Sequence, residues 1–241
     1  MTMEFLMDLH THTLASIHAY STVTENAKVA KQRGIQILGT SDHGYGMPNT
    51  THSDHFYNLC ALPDYLEGVR ILKGMEANIL NEEGILMEED SLYLVDYAIA
   101  SLHPNCYAKK EGENDFTQAI INTIKRNPSI RVIGHPDDNR FPLDYELLVK
   151  TCVDHKVALE LNCGSIRPHS YRKGARENIL TYLPLCKEMG CSILVDSDAH
   201  MSHAVGDFEI AKEILTALDF PTELIVNGSW TRLEELLGLS L

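Results

Sequence analysis

Short apolar runs alternate with helix-patterned stretches at least seven times along this sequence, an alternation that calls for parallel strands joined by crossover helices. The runs fall at 5–9, 35–39, 69–72, 97–102, 131–133, 157–161 and 192–195, with a last one at 224–226. Between them, Thr22-x-x-Glu25 reads as a capping box that opens a helix, and Gly34 stops it. Phe116, Ala119, Ile120 and Ile124 recur with helical period, and 143–155, 179–189 and 211–218 read as further helices. An open doubly wound sheet and a closed barrel both satisfy this alternation. What separates them is where the polar residues fall. His10, His43, Glu76, His103, His135 and Asp198 each lie at or just past the C-terminal end of a different predicted strand. In a (β/α) barrel those ends converge on one mouth. An open sheet would spread six consecutive strand ends over roughly 25 Å, at about 4.8 Å per strand. The expected fold is therefore α/β, a distorted TIM-like barrel of seven strands, (β/α)7. No composition shift or Pro/Gly linker marks a boundary, so 1–241 reads as a single domain, and the acidic stretch 81–90 reads as a solvent-facing excursion.

Composition excludes several function classes. Lys and Arg number 20 against 34 Asp and Glu, for a net charge of −14. A chain this acidic has no global electrostatic reason to seek nucleic acid or an anionic membrane. No apolar run approaches the ~18 residues of a membrane span, and the first residues lack the pattern of a signal peptide. The six cysteines include no C-x-x-C pair, which fits reduced thiols in the cytoplasm, mostly buried as small hydrophobes.

Histidine is the conspicuous residue, with 12 in the chain. In His10-Thr11-His12, residues two apart on an extended strand end point the same way, so both imidazoles can reach one ion. Asp198-Ala199-His200 repeats that spacing, and His18 follows the first strand closely enough to fold back over the mouth. His52, His55, His155, His169 and His203 read instead as surface or satisfied core residues. One Zn²⁺ takes about four ligands, so this many imidazoles and carboxylates call for two or three divalent ions with a bridging carboxylate. The donor set suits Zn²⁺, Mn²⁺ or Fe²⁺. Clustered ions of this kind lower the pKa of bound water toward ~7 and clamp the oxygens of a phosphate ester. They also reverse the local field, so an acidic chain can hold an anionic substrate. Metal-assisted hydrolysis is the chemistry that follows. Arg172 and Lys173 read either as phosphate contacts or as a solvated basic pair. Asp8, Asp42 and Asp196 read either as acceptors that orient imidazoles or as caps, and Asn162 could line the pocket.

Asp8-Leu9-His10-Thr11-His12-Thr13, Thr40-Ser41-Asp42-His43-Gly44, Glu76, His103, Gly134-His135-Pro136 and Asp198-Ala199-His200 resemble the four motifs of the PHP (polymerase and histidinol phosphatase) domain. The likeness is greatest to the YcdX-type phosphatases of that family and covers nearly the whole chain, including Ser16-x-His18-Ala19-Tyr20-Ser21 and Arg172-Lys173-Gly174. The resemblance implies the PHP fold, a distorted seven-stranded barrel, and a trinuclear, usually zinc, centre. It implies that His10, His12, Glu76 and Asp198 hold one ion and that Glu76 bridges to a second, completed by His103 and His135. His18, His43 and His200 would hold the third. Glu76, His103 and Asp198 then form the catalytic set, and a hydroxide between two ions attacks the phosphorus of a small phosphate monoester. Relatives of this type also suggest a homotrimer. Segments 81–90 and 105–115 are where the likeness is weakest, and they bear on substrate identity. The rivals are a nucleic-acid 3′ exonuclease or phosphodiesterase, histidinol phosphatase, and a non-catalytic metal-binding module. The −14 charge and the lack of a basic stripe speak against the first. Histidinol phosphatases tend to be longer, and an intact ligand set speaks against the third.

Overall fold

Residues 3–241 are described by a computed structural model. Its strands, in chain order, are β1 (Met7–Asp8), β2 (Ile37–Thr40), β3 (Tyr65–Leu66), β4 (Val69–Ile79), β5 (Tyr97–Leu102), β6 (Val132–Ile133), β7 (Ala158–Asn162) and β8 (Ile193–Asp196). Seven of them run parallel in the order β1-β2-β4-β5-β6-β7-β8, while β3 is a short antiparallel partner of β4. Helices α1 (Val23–Gln32), α2 (Ser53–Tyr57), α3 (Thr117–Arg126), α4 (Tyr145–His155), α5 (Ala175–Met189), α6 (Glu209–Ala217) and α7 (Trp230–Leu237) complete the chain. The capping box at Thr22 and Glu25 forms as the sequence predicts, with both reciprocal bonds present. The fold is the distorted seven-stranded barrel.

The barrel closes at an unusual seam. Between β8 and β1 there is no ladder, only a parallel bridge at Thr11 and Ala199. Below it, the buried side chain of Asn227 takes the place of the missing pairing. Its Nδ2 donates to the carbonyls of Met7 (2.9 Å) and Val195 (2.7 Å), and its Oδ1 accepts from the Val195 N–H (2.7 Å). The Leu6 N–H donates to the Asn227 carbonyl at 2.8 Å. One amide side chain thus satisfies backbone groups on both edges, which buried backbone requires. This is why 224–226 is not the strand its apolar character predicts: Val226–Gly228 is a 3₁₀ turn wedged against β8, with one bridge from Ile193 to Ile225.

Side chains alternate between two cores. Met7, Leu9, Ile37, Leu72, Tyr97, Ile99, Val132, Ala158 and Leu194 fill the barrel, plugged from below by Val226 and by Leu233 of α7. Their neighbours of opposite parity, such as Leu38, Ile71 and Ala98, pack against the helices. Because strand parity is two, the inward face continues upward as Leu72, Gly74, Glu76, Asn78 on β4, as Ala158, Glu160, Asn162 on β7, and as Leu194 and Asp196 on β8, with Asp198 just beyond its end. The barrel is apolar at its base and ionisable at its mouth. Tyr97 sets the boundary, with its hydroxyl donating to the Leu9 carbonyl. Gly39 and Gly74 make room for it: an added Cβ would lie 1.9 Å from Tyr97 Oη at Gly39 and 2.4 Å from Tyr97 Cζ at Gly74. At Gly39 the backbone of Leu9 is also within 2.9 Å, so nothing there can yield. Gly39→Ala is expected to cost about 3 kcal/mol or more as overpacking, read as a lower denaturant midpoint, whereas unchanged stability would remove Tyr97 from the barrel.

The excursion at 81–90 is not solvent-facing throughout. Leu86 bridges Ile79, and Glu88 is fully buried. All six cysteines are free thiols, with Cys152, Cys163, Cys186 and Cys191 buried. Among the described residues no helix is long and apolar enough to cross a membrane.

Candidate metal centre

The C-terminal strand ends bring the predicted ligands to one mouth. Glu76 lies at the middle of them, and its placement departs from the sequence reading. β4 does not stop near Leu72 but continues to Ile79, pairing first with β2 and then with β5. Glu76 therefore sits inside a strand, pointing into the barrel. His43 Nδ1 lies 2.5 Å from Glu76 Oε2, His135 Nε2 2.9 Å and His103 Nε2 3.1 Å from Glu76 Oε1, and His10 Nε2 3.5 Å from Oε2. Asp198 Oδ1 lies 3.2 Å from His12 Nε2, 3.4 Å from His200 Nδ1 and 3.7 Å from His10 Nε2. His18, on an exposed turn, places Nε2 3.1 Å from His43 Nε2. Three overlapping trios have donor atoms within 4.8 Å of one another: His10, His12 and Glu76; His43, Glu76 and His103; and His12, His43 and His200. The third trio contains His12 where the resemblance implies His18.

These donors fit cations. His10 Nε2, His12 Nε2, His43 Nδ1, Glu76 Oε2 and His103 Nε2 are all buried without a hydrogen-bond partner. They approach each other closely yet are not aligned to share hydrogens, and leaving so many polar atoms buried and unpaired is costly. Lone pairs that converge on common points are what a divalent ion requires. Burial, reinforced by the imidazoles of His200 and His43, holds His12 well below the ordinary imidazole pKa. Partial burial and His43 bring His18 down to about 4, and burial also lowers His103. These three are therefore neutral at pH 7 and offer free lone pairs. Burial opposes the charge of Glu76, but His103, His43 and His10 outweigh it and hold this carboxyl well below its usual range. His10 goes the other way. Burial would lower its pKa, but the carboxylates of Glu160, Asp198 and Glu76 raise it well above the ordinary value.

An outer set of groups fixes the inner one. Glu160, fully buried on β7, accepts from His10 Nδ1 (2.7 Å) through Oε1 and from the His135 N–H (2.5 Å) through Oε2. The latter bond helps hold His135 at φ 27°, a backbone conformation unfavourable for an L residue. Asn78 Oδ1 accepts from His103 Nδ1 (2.9 Å), and Asn78 Nδ2 donates to the buried Glu88 Oε1 (2.8 Å). His12 Nδ1 donates to Ser16 Oγ (3.2 Å), which donates to Asp42 Oδ1 (2.6 Å). In each case the outer acceptor fixes the tautomer, leaving Nε2 free to ligate. Neither Glu160 nor Glu88 is singled out by the sequence reading. Glu160 was readable, since it is a lone carboxylate in an apolar strand two residues before Asn162. Glu88 was hidden in an acidic run.

Other predicted residues separate. Asp8 and Asp196 act as caps: Asp8 accepts from the N–H groups of Ser197 (3.0 Å) and Gly206 (2.8 Å), and Asp196 from that of Leu9 (2.7 Å). Asn162 Nδ2 lies 3.2 Å from Asp198 Oδ2. Arg172 is only 7% exposed and donates from Nη1 to Asp198 Oδ2 at 2.9 Å, so it is not a solvated cation. Lys173 is exposed, and its side chain makes no ion pair among the described residues. His55 Nε2 lies 3.4 Å from Asp42 Oδ2, behind the site.

The PHP domain family model matches residues 8–162, more than half of the sequence. The chain belongs to the PHP domain family. A "probable phosphatase" of Thermoanaerobacter sp. (strain X514) is 42% identical over 236 residues, covering 98% of this PHP chain and 95% of its own length. Another "probable phosphatase", from Acetivibrio thermocellus, is 42% identical over 236 residues, with 97% and 95% covered. Among solved structures, histidinol phosphate phosphatase from Lactococcus lactis subsp. lactis Il1403, complexed with zinc, L-histidinol and phosphate, aligns with a TM-score of 0.61. The alignment covers 88% of this chain and 92% of that one at 15% identity, a likeness of fold. Beside the PHP mouth, a cleft of about 420 Å³ opens between Tyr20, Arg167, Tyr171 and His203, with Asp198 and His200 at its inner end.

Proposed function

We propose that this protein is a metal-dependent phosphoesterase acting on small phosphate monoesters at a centre of three divalent ions, zinc foremost. The observation that carries the reading is the set of buried, unpartnered donor atoms of His10, His12, His43, Glu76 and His103 facing one mouth. The 42%-identical probable phosphatases support the reaction class, and the zinc and phosphate of the Lactococcus lactis structure support the ion and the anion. His10, His12, Glu76 and Asp198 would hold one ion, His103 and His135 a second shared with Glu76, and His18, His43 and His200 a third. Bound there, divalent ions supply an activated water and neutralise the phosphoryl oxygens. The chain's own part is positioning. Glu76, His103 and Asp198, which would touch the ions, are its catalytic residues. Arg172 neutralises Asp198 Oδ2 and aims Oδ1 at the imidazoles, and its charge beside the mouth favours a bound phosphate. Glu160, Asn78 and the Ser16–Asp42 pair hold the imidazoles in the tautomer that ligates.

The test is metal removal. Protein purified without chelating resin is expected to carry roughly three equivalents of metal, because the ligand set exceeds what one four-coordinate ion can use. Hydrolysis of p-nitrophenyl phosphate should disappear on chelation and return with Zn²⁺ or Mn²⁺. One equivalent or none would break the multinuclear reading, and activity that survives full metal removal would break the metal-dependent one.

A further inference from the structure

Residues 167–176 read Arg-Pro-His-Ser-Tyr-Arg-Lys-Gly-Ala-Arg, without one Asp or Glu, in a chain of net charge −14. The first part of this segment, Arg167 to Arg172, forms one wall of the cleft beside Asp198 and His200, and Met201, His203 and Ala204 form another. Asp198 is the sole acidic residue lining the cleft, and its Oδ2 is already taken by Arg172. Arg167 is different. Its Nη2 donates to the Ala204 carbonyl at 3.1 Å, which fixes the side chain in place. Its nearest carboxylate is Asp207 at 4.0 Å, a partly exposed pair, and a pair of that kind contributes little. Lys173 and Arg176 add exposed positive charge further along the segment, outside the cleft lining. Stacking offers less than charge does here, because the Tyr171 ring already carries the guanidinium groups of Arg140 (5.0 Å) and Arg172 (5.3 Å).

A fixed arginine in the cleft lining, compensated only by a weak, partly exposed carboxylate pair, next to a centre that would bind one phosphate is a site for a second negative group. We propose that this cleft receives a further phosphate or a carboxylate on the alcohol side of the ester, with Arg167 as the specificity-determining residue. The inference rests on the phosphoesterase reading. It predicts a preference for doubly anionic substrates over monoesters of neutral alcohols.

Two esters of nearly equal shape make the comparison: 2-phosphoglycolate, which carries a carboxylate, and 2-hydroxyethyl phosphate, which does not. A bisphosphate, glucose 1,6-bisphosphate against glucose 1-phosphate, tests the phosphate arm. In the metal-loaded wild type, kcat/KM is expected to favour the more anionic member by about tenfold or more, the effect of one charge-assisted hydrogen bond. In Arg167→Gln that ratio should fall toward one, and in Arg167→Lys it should be partly kept. If the glutamine variant fails to fold, ionic strength gives an independent reading, since salt should compress the wild-type ratio. Hydrolysis of all four esters with ratios near one would overturn this inference alone. Hydrolysis of none by metal-loaded protein would overturn the phosphoesterase reading beneath it. Cleavage of single-stranded oligonucleotides ahead of every small ester would also overturn the inference, because the cations would then track a nucleic-acid backbone.

Discussion

Glu76→Gln is expected to strip metal from the protein and abolish phosphatase activity while leaving the fold intact. Glutamine keeps the shape of the side chain and removes its charge. That charge faces His10, His43, His103 and His135 at 2.5 to 3.5 Å, and no other carboxylate reaches the same set. A bridging carboxylate is what lets two like-charged ions sit side by side, and several kcal/mol of lost charge stabilisation corresponds to about 10³-fold or more in rate. The measurements are metal content by elemental analysis, kcat/KM on p-nitrophenyl phosphate, and the denaturation midpoint. A variant that kept its metal and its turnover would sink the bridging role. One that lost the fold as well would leave metal analysis of Glu76→Asp to decide, since aspartate keeps the charge but shortens the reach.

Glu160→Gln should produce the next largest effect, although Glu160 is no ligand in the proposed centre. The substitution removes the charged partner of His10 Nδ1 and weakens the grip on the His135 backbone. Losing such an outer partner typically costs 10- to 100-fold in metal affinity or activity, and a loss of about that size is expected here. The pH dependence separates this role from simple damage. Glu160 heads the charges that lift the His10 pKa, and a raised pKa means that at neutral pH a proton competes with the ion for Nε2. Wild type must displace that proton, increasingly so as pH falls. The variant, with a lower His10 pKa, has less to displace. The affinity gap between wild type and Glu160→Gln should therefore narrow from pH 8 to pH 6, as read by zinc titration. A gap that stayed constant would reduce Glu160 to a packing residue.

The barrel and its mouth were legible because alternation and strand-end chemistry are both local patterns. His10-Thr11-His12 and Asp198-Ala199-His200 announce themselves by spacing. What stayed hidden depends on contacts between distant segments. Glu160 stands out as a lone carboxylate in an apolar run, but its role does not, because its partner lies 150 residues away. Glu88 looks like one of several surface acids until 81–90 folds back on β4 and brings it to Asn78. The extension of β4 to Ile79 is likewise a pairing effect, since β5 supplies a partner that β2 does not reach. Residues 224–226 are apolar enough for a strand, yet the space they would occupy is held by the Asn227 amide. Arg172 and Lys173 were indistinguishable as a sequence pair. Only the tertiary position of Asp198 divides them into a buried partner and an exposed cation.

The seam at Asn227 also sets a timetable. During synthesis β1, with His10 and His12 just after it, emerges before the other strands of the barrel, and its second neighbour, β8, emerges after all of them. Asp198 and His200 follow nearly two hundred residues later, and the amide that staples the two edges together emerges later still. Strands β2 to β7 can pair progressively as they appear, whereas the cylinder cannot shut until β8 and Asn227 have followed. A chain that has emerged only through β7 therefore carries His10, His12, His43, Glu76, His103 and His135 without Asp198 and His200, and the proposed ligand set is complete only once the segment after β8 has joined them.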